Sequence, residues 1–293
     1  MRFIRSDDQE AMREGIAALC SGRFSMERVR AGFDAEGWKE LAAAGVFTLG
    51  ELGGLADAAV VFEELGRALV PGPLVWGYLA GRDDVVSGGV ADGVLAYPDD
   101  VGLVHVLVGD RVHAVPADQV DREAIEHPLD PLTPFARVTR VPEQGDDVGP
   151  ASDWQRRGAV LVAAQMAGMA AATSDLAVAY AKERHQFDKP IGAFQAVKHI
   201  CADTRVRADV ARAAVDAAAV TFDDPGVGDV DRAVAAAKVV AGEAAVANAR
   251  ACIQVHGGMG FTWEIDAHLY LKRAWVLDRL FGTAERHAEQ LGS

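Results

Sequence analysis

Cysteine is scarce and scattered in this chain of 293 residues, with Cys20, Cys201 and Cys252 far apart. An odd count without short spacing excludes a disulfide framework and a thiolate metal site. It points to reduced, mostly buried thiols in a cytoplasmic protein. Basic charge is in deficit too: 29 Lys and Arg stand against 43 Asp and Glu, a net charge of -14. So acidic a chain repels phosphate backbones, which argues against nucleic acid as a partner. No uncharged stretch reads as long enough to span a bilayer; the Ala-rich run 159–172 is too short and ends in polar residues. The start, Met1 to Asp8, turns acidic before any apolar run, which does not fit a signal peptide. His185 and His256 lack a Cys/His/Asp/Glu set at ligand spacing, so no metal is expected.

What is present is ample apolar material. Half the residues are hydrophobic, with five Trp and eleven Phe, which suits a folded protein of one large domain or two to three small ones. Three regions follow. Residues 1–85 read as helical: Ser6-Asp7-Asp8-Gln9 is a capping box, and Phe33, Trp38, Leu41 and Ala42 recur at helical spacing before Gly45. A further helix over about Asp57–Leu69 stops at Pro71-Gly72-Pro73. Residues 86–150 are β-type, with strands expected at 101–108, 112–115 and 136–141 and no Trp. Residues 151–293 return to helix, opening at a second box, Ser152 to Gln155, and running to about Lys182. Helices from about Gln195, over Asp229–Val255 and over Asp266–Phe281 complete four. Val197, Ile200, Cys201, Thr204, Ala208, Ala211 and Val215 mark the inner face of the second, and the seam of the third is largely alanine, as in a closely packed bundle. The expected fold is mostly α with a small β middle region.

Two segments carry more than fold. Glu183-Arg184-His185-Gln186-Phe187-Asp188-Lys189-Pro190-Ile191-Gly192, with Phe194-Gln195 after it, lies between the first and second bundle helices. Gln254-Val255-His256-Gly257-Gly258-Met259-Gly260-Phe261 ends the third. Taken singly, an arginine is usually a surface ion-pair former and a Gly-Gly a helix stop. In this order and context, both resemble the signatures of the acyl-CoA dehydrogenase family. Residues Phe62 to Pro73 more weakly resemble its first domain.

The resemblance implies an N-terminal helical domain, a β domain, a C-terminal four-helix bundle, bound FAD and desaturation of an acyl-CoA thioester. In that family FAD carries the redox chemistry and the protein positions it. Arg184 would pair with the pyrophosphate, a role suited to a planar, permanently charged fork. Gln186 and Phe187 would contact the dinucleotide, Phe194 and Gln195 its adenine-ribose end. Gln254, Val255, His256, Gly257 and Gly258 would approach the adenosine half, glycine permitting a close backbone. These groups reach the FAD of a neighbouring subunit, so an oligomer is implied.

The chain also departs from the family. The usual catalytic Glu precedes the Gly-Thr after the last bundle helix, and here the residues are Leu280-Phe281-Gly282-Thr283. An alternative position in the first bundle helix falls on Gly158. Neither can accept a proton. Asp278, Glu285 and Glu264 are nearby carboxylates read as surface or structural groups. The short middle region also lacks the Ser/Thr-rich segment and Trp strand that wrap the flavin ring, so no flavin-ring pocket of its own is expected. The combination resembles the short subunit of heteromeric α2β2 bacterial members, including those acting on steroid side chains. A full-length subunit would then supply the base and ring pocket, with electron-transferring flavoprotein as acceptor. The competing readings are a homo-oligomeric enzyme with a relocated base, Asp278 or Glu285, and a flavin-free scaffold.

Overall fold

The computed structural model describes residues 3–88, 93–142 and 145–292. Its first part is helical: α1 (Asp7–Arg23), α2 (Met26–Arg30), α3 (Ala35–Ala43), α4 (Leu49–Leu52), α5 (Leu55–Arg67) and α6 (Leu74–Ala80). The box at Ser6 is made as expected, Gln9 N donating to Ser6 Oγ at 3.2 Å and Ser6 N to Gln9 Oε1 at 3.0 Å. Trp38 stacks on Phe47 at 4.2 Å between centroids and anchors α3.

Seven strands follow: β1 (Val86–Gly88), β2 (Val94–Ala96), β3 (Leu103–Val108), β4 (Arg111–Pro116), β5 (Asp121–Ala124), β6 (Phe135–Arg140) and β7 (Asp146–Pro150). They form two small sheets, ordered β1-β3-β4-β7 and β2-β6-β5. Between them lies a core of Leu95, Val104, Val106, Val115, Ala117 and Val120. So few apolar side chains give such a region little stability of its own. Its link to the helices is correspondingly strong: Asp130 and Arg273 form an ion pair buried on both sides.

The rest is α7 (Ala151–Glu183), a short hairpin of β8 (His185–Gln186) and β9 (Lys189–Pro190), α8 (Gln195–Asp223), α9 (Val230–His256), α10 (Ala267–Arg279) and α11 (Ala284–Gly292). On α9, Val234, Ala237, Ala241, Ala244, Ala245, Asn248, Ala249 and Cys252 are buried, a helical-period stripe of small residues. Asn248 Nδ2 donates to Ala170 O at 3.0 Å and Thr204 O at 2.8 Å, tying α9 to both α7 and α8. The crossing of α5 over α7 is closer still: a Cβ at Gly66 would overlap the Gln165 carbonyl, and one at Gly168 the Glu63 carbonyl. Glycine is required at both points because backbone meets backbone.

Two expectations need correction. No side-chain box opens α7: the helix starts at Ala151 after Pro150. Strand β7 runs straight into it, and Ala151 N donates to Asp110 O at 2.8 Å instead. The apolar stretch is longer than the run 159–172, for α7 is long and apolar enough to cross a membrane; 83% of its most apolar window is buried in the fold, as in a core helix. The cysteines are as expected: all three are free thiols, Cys20 and Cys252 buried and Cys201 half-buried.

Candidate functional site

The two family-like segments meet at one end of the bundle. Helices α7, α8 and α9 alternate in direction, so the end of α7, the start of α8 and the end of α9 share that end. The His256 ring stacks on Tyr180 of α7 at 4.1 Å between centroids, joining them directly. Arg184 N donates to Tyr180 O at 2.8 Å, and Ile191 N to Arg184 O at 2.7 Å, closing the hairpin that follows α7. At its tip Phe187 and Asp188 both have positive φ, +53° and +61°. Consecutive left-handed residues match the twist of a tight hairpin, but that conformation costs a non-glycine residue roughly 1 kcal/mol. Phe187 is nonetheless 85% exposed, and its ring meets Phe194 edge-on at 6.2 Å. Lys189 Nζ lies 4.4 Å from the centre of the Phe194 ring.

Arg184, Gln186, Gln195, Gln254, Gly257 and Gly258 are exposed, with Phe194 half-buried. Among the described residues Arg184 has no ion-pair partner, and the first turn of α8 has no side-chain cap. A guanidinium and free helix-end amides suit an anionic group such as a pyrophosphate. A Cβ at Gly258 would meet nothing within 4 Å, so the chain itself does not require glycine there. These residues fit the adenosine-pyrophosphate half of FAD. Val255 and His256 differ: both are buried, and His256 Nδ1 lies 2.8 Å from Cys252 O. Their side chains serve the bundle, so a role facing a ligand is not what this geometry gives them. Met259 and Phe261, which the motif contains without a role, and Trp263 just after it are exposed apolar groups beside the glycines. Arg30 lies 4.9 Å over the Trp263 ring. Their signal was a run of large apolar residues in a loop.

Gly158 and Phe281, the two positions to which the resemblance assigns a base, meet at the other end of α7. Phe281 has φ +56°, and its ring rests on Gly158; a Cβ at 158 would overlap it. Phe281 also lies 4.7 Å from Trp76, which with His105 and Trp154 forms an aromatic cluster. Beneath, Lys238 Nζ donates to Asp278 O at 2.9 Å and Gly282 O at 2.6 Å, pinning the turn. Burial pulls the Lys238 pKa down to about 8, opposed by Asp278. Asp278 Oδ1 accepts from Ala284 N at 3.0 Å and so caps α11. Glu285 and Glu264 are exposed.

The short β region nevertheless walls a cavity of about 940 Å³ against α10 and α11, more space than the sequence suggested. Asp231 is the carboxylate on its lining, and Arg156 holds both its oxygens, at 2.6 and 2.9 Å. Among the described residues, no carboxylate free to take a proton faces this space. A helical turn, a Phe ring and an aromatic cluster stand there instead.

A family profile described as acyl-CoA dehydrogenase, C-terminal domain, matches residues 156–293. The chain is 34% identical to acyl-CoA dehydrogenase IpdE2 of Mycolicibacterium smegmatis, over 98% of each protein. Its fold is shared with the Tcur3481-Tcur3483 steroid ACAD G363A variant, at a TM-score of 0.83 and 22% identity over 98% of this chain and 97% of that one. The ChsE4-ChsE5 complex of Mycobacterium tuberculosis gives a TM-score of 0.81 at 20% identity, over 100% and 98%. With both bundle motifs in place and near-complete coverage of a relative, the chain belongs to the acyl-CoA dehydrogenase family, flavoprotein oxidoreductases acting on the CH–CH bond of acyl-CoA.

Proposed function

We propose that this chain is the short subunit of a heteromeric, cytoplasmic acyl-CoA dehydrogenase, holding the nucleotide end of an FAD seated in a full-length partner. One observation carries the reading. The positions where a base would stand hold Phe281 on Gly158, while Arg184 is exposed and, among the described residues, without an ion pair at the far end of the same helix. From Gly158 to Arg184 that helix spans roughly 40 Å at about 1.5 Å per residue. One dinucleotide cannot join this chain's grip to this chain's own cavity, so the grip serves another subunit. Likeness to the Tcur3481-Tcur3483 and ChsE4-ChsE5 assemblies, each with two named components, supports the same arrangement.

Arg184 would hold the pyrophosphate. Gln186, Phe187, Phe194 and Gln195 would line the dinucleotide, and Gln254, Gly257 and Gly258 would let its adenosine half approach the backbone of α9. Val255 and His256 would shape that segment from behind rather than touch the ligand. FAD supplies the hydride acceptor for the β-hydrogen, and electron-transferring flavoprotein would relieve it of electrons. The partner would supply the carboxylate that takes the α-proton from the acyl-CoA.

Co-expression with a full-length acyl-CoA dehydrogenase tests this reading. The pair should purify together and be yellow, and Arg184→Ala should remove most of the flavin while the pair still forms. If Arg184→Ala leaves the flavin in place, the scaffold reading wins. A yellow chain purified alone, whose flavin is bleached by an acyl-CoA, would return the function to a homo-oligomer.

A further inference from the structure

The cavity between the β region and α10–α11 has no part in the nucleotide grip, and its construction points to a ligand. At about 940 Å³ it lies near the upper end of small-molecule sites, which run from roughly 300 to 1,000 Å³. Leu107, Val112 and Ile125 contribute aliphatic walls, and the cluster of Trp76, His105, Trp154 and Phe281 contributes aromatic ones. His105 is 3% exposed and its Nδ1 has no partner among the described residues. Burial, with a smaller effect from Arg82, pushes its pKa down to about 4, so it adds no charge to the apolar wall.

Charge enters at the rim. Arg156 is neutralised by Asp231, but Arg279 and Arg286, both exposed on the lining, have no ion-pair partner among the described residues. In a chain of net charge -14, two unpaired guanidiniums beside an apolar chamber are complementary to one anionic group on an apolar body. We propose that this cavity is a ligand site in its own right, taking an apolar carboxylate and holding it unreacted. The apolar body would lie against the aromatic cluster and the carboxylate between Arg279 and Arg286. Phe281 stands where a base would act, so the bound molecule keeps its protons. The site lies at the opposite end of α7 from Arg184 and does not depend on flavin binding.

Calorimetric titration of the purified protein with deoxycholate, below its micellar concentration and with its methyl ester as comparator, tests the proposal. One saturable site per chain is expected for the carboxylate. Losing charge-assisted bonds should weaken it by about tenfold or more in the Arg279→Gln/Arg286→Gln variant. The neutral ester should bind wild type and variant alike. Both substitutions fall on exposed side chains, so folding is preserved. Absence of saturable binding overturns the proposal, as does equal affinity in the double variant. Loss of binding in Phe187→Ser with retention in the arginine variant would do the same, by locating the ligand at the other end of the bundle.

Discussion

At the scale of single residues, the Phe281 turn is fitted closely to the first helix of the bundle. A ring fills the notch that Gly158 leaves, in a left-handed conformation that is unfavourable for phenylalanine. Gly158→Ala should therefore destabilise the chain by about 1–3 kcal/mol through overpacking. Phe281→Ala removes the obstruction, so the double variant should be more stable in urea than the two single effects predict. Strict additivity would mean that the two positions do not touch. Lys238, beneath the same turn, gives a pH signature. Its folded-state pKa is about 8 against the usual 10.5. Between those values the unfolded chain binds the extra proton, so stability rises with pH; below about 8 both states carry it and the group adds no slope. Across the full window the gain is about 3 kcal/mol. Wild type should thus gain on Lys238→Met when urea unfolding is repeated at about pH 10 rather than about pH 7. A constant difference would show that the ammonium is not buried.

Among the elements, the β8–β9 hairpin separates stability from binding. Phe187 is exposed and left-handed, so it contributes little to the chain's own fold. Phe187→Gly relieves a backbone penalty of roughly 1 kcal/mol but loosens the unfolded chain, leaving stability within about 1 kcal/mol of wild type. Flavin retained by the co-purified pair should nevertheless fall. A large drop in melting temperature instead would make the ring a packing group. The helices were legible because their signals are local: the Ser6 box, the alanine stripe of α9 and the inner face of α8 all lie in consecutive turns. The start of α7 was misread because Ser152 to Gln155 carries a capping pattern that the incoming strand β7 makes unnecessary. Helix α11 went unseen because its amphipathic pattern runs over only 9 residues, too few to stand out from a charged tail.

Over the whole molecule, the β region depends on the bundle. Arg273 is fully enclosed; burial acts to lower its pKa, yet Tyr97 and Asp130 more than offset this and it stays charged. Asp130→Ala would strand that charge and should cost about 3–5 kcal/mol in chemical denaturation. Asp130→Asn, which keeps an acceptor for the guanidinium, should cost less; equal losses would mean that charge is not what joins the two parts.

Family membership and the order of helices, strands and helices could be read along the chain, because each rests on residue identity at short spacing. The side to which a residue faces was another matter. Val255 and His256 belong to the same motif as Gly257 and Gly258, but one pair turns into the bundle and the other outward, as the rotation of α9 against Tyr180 dictates. Trp76, His105, Trp154 and Phe281 come from four separate stretches, so only packing could reveal that they close one cavity. Local chemistry determines which elements form and what each side chain can do; the way helices and sheets close on one another decides which side chains face the same space.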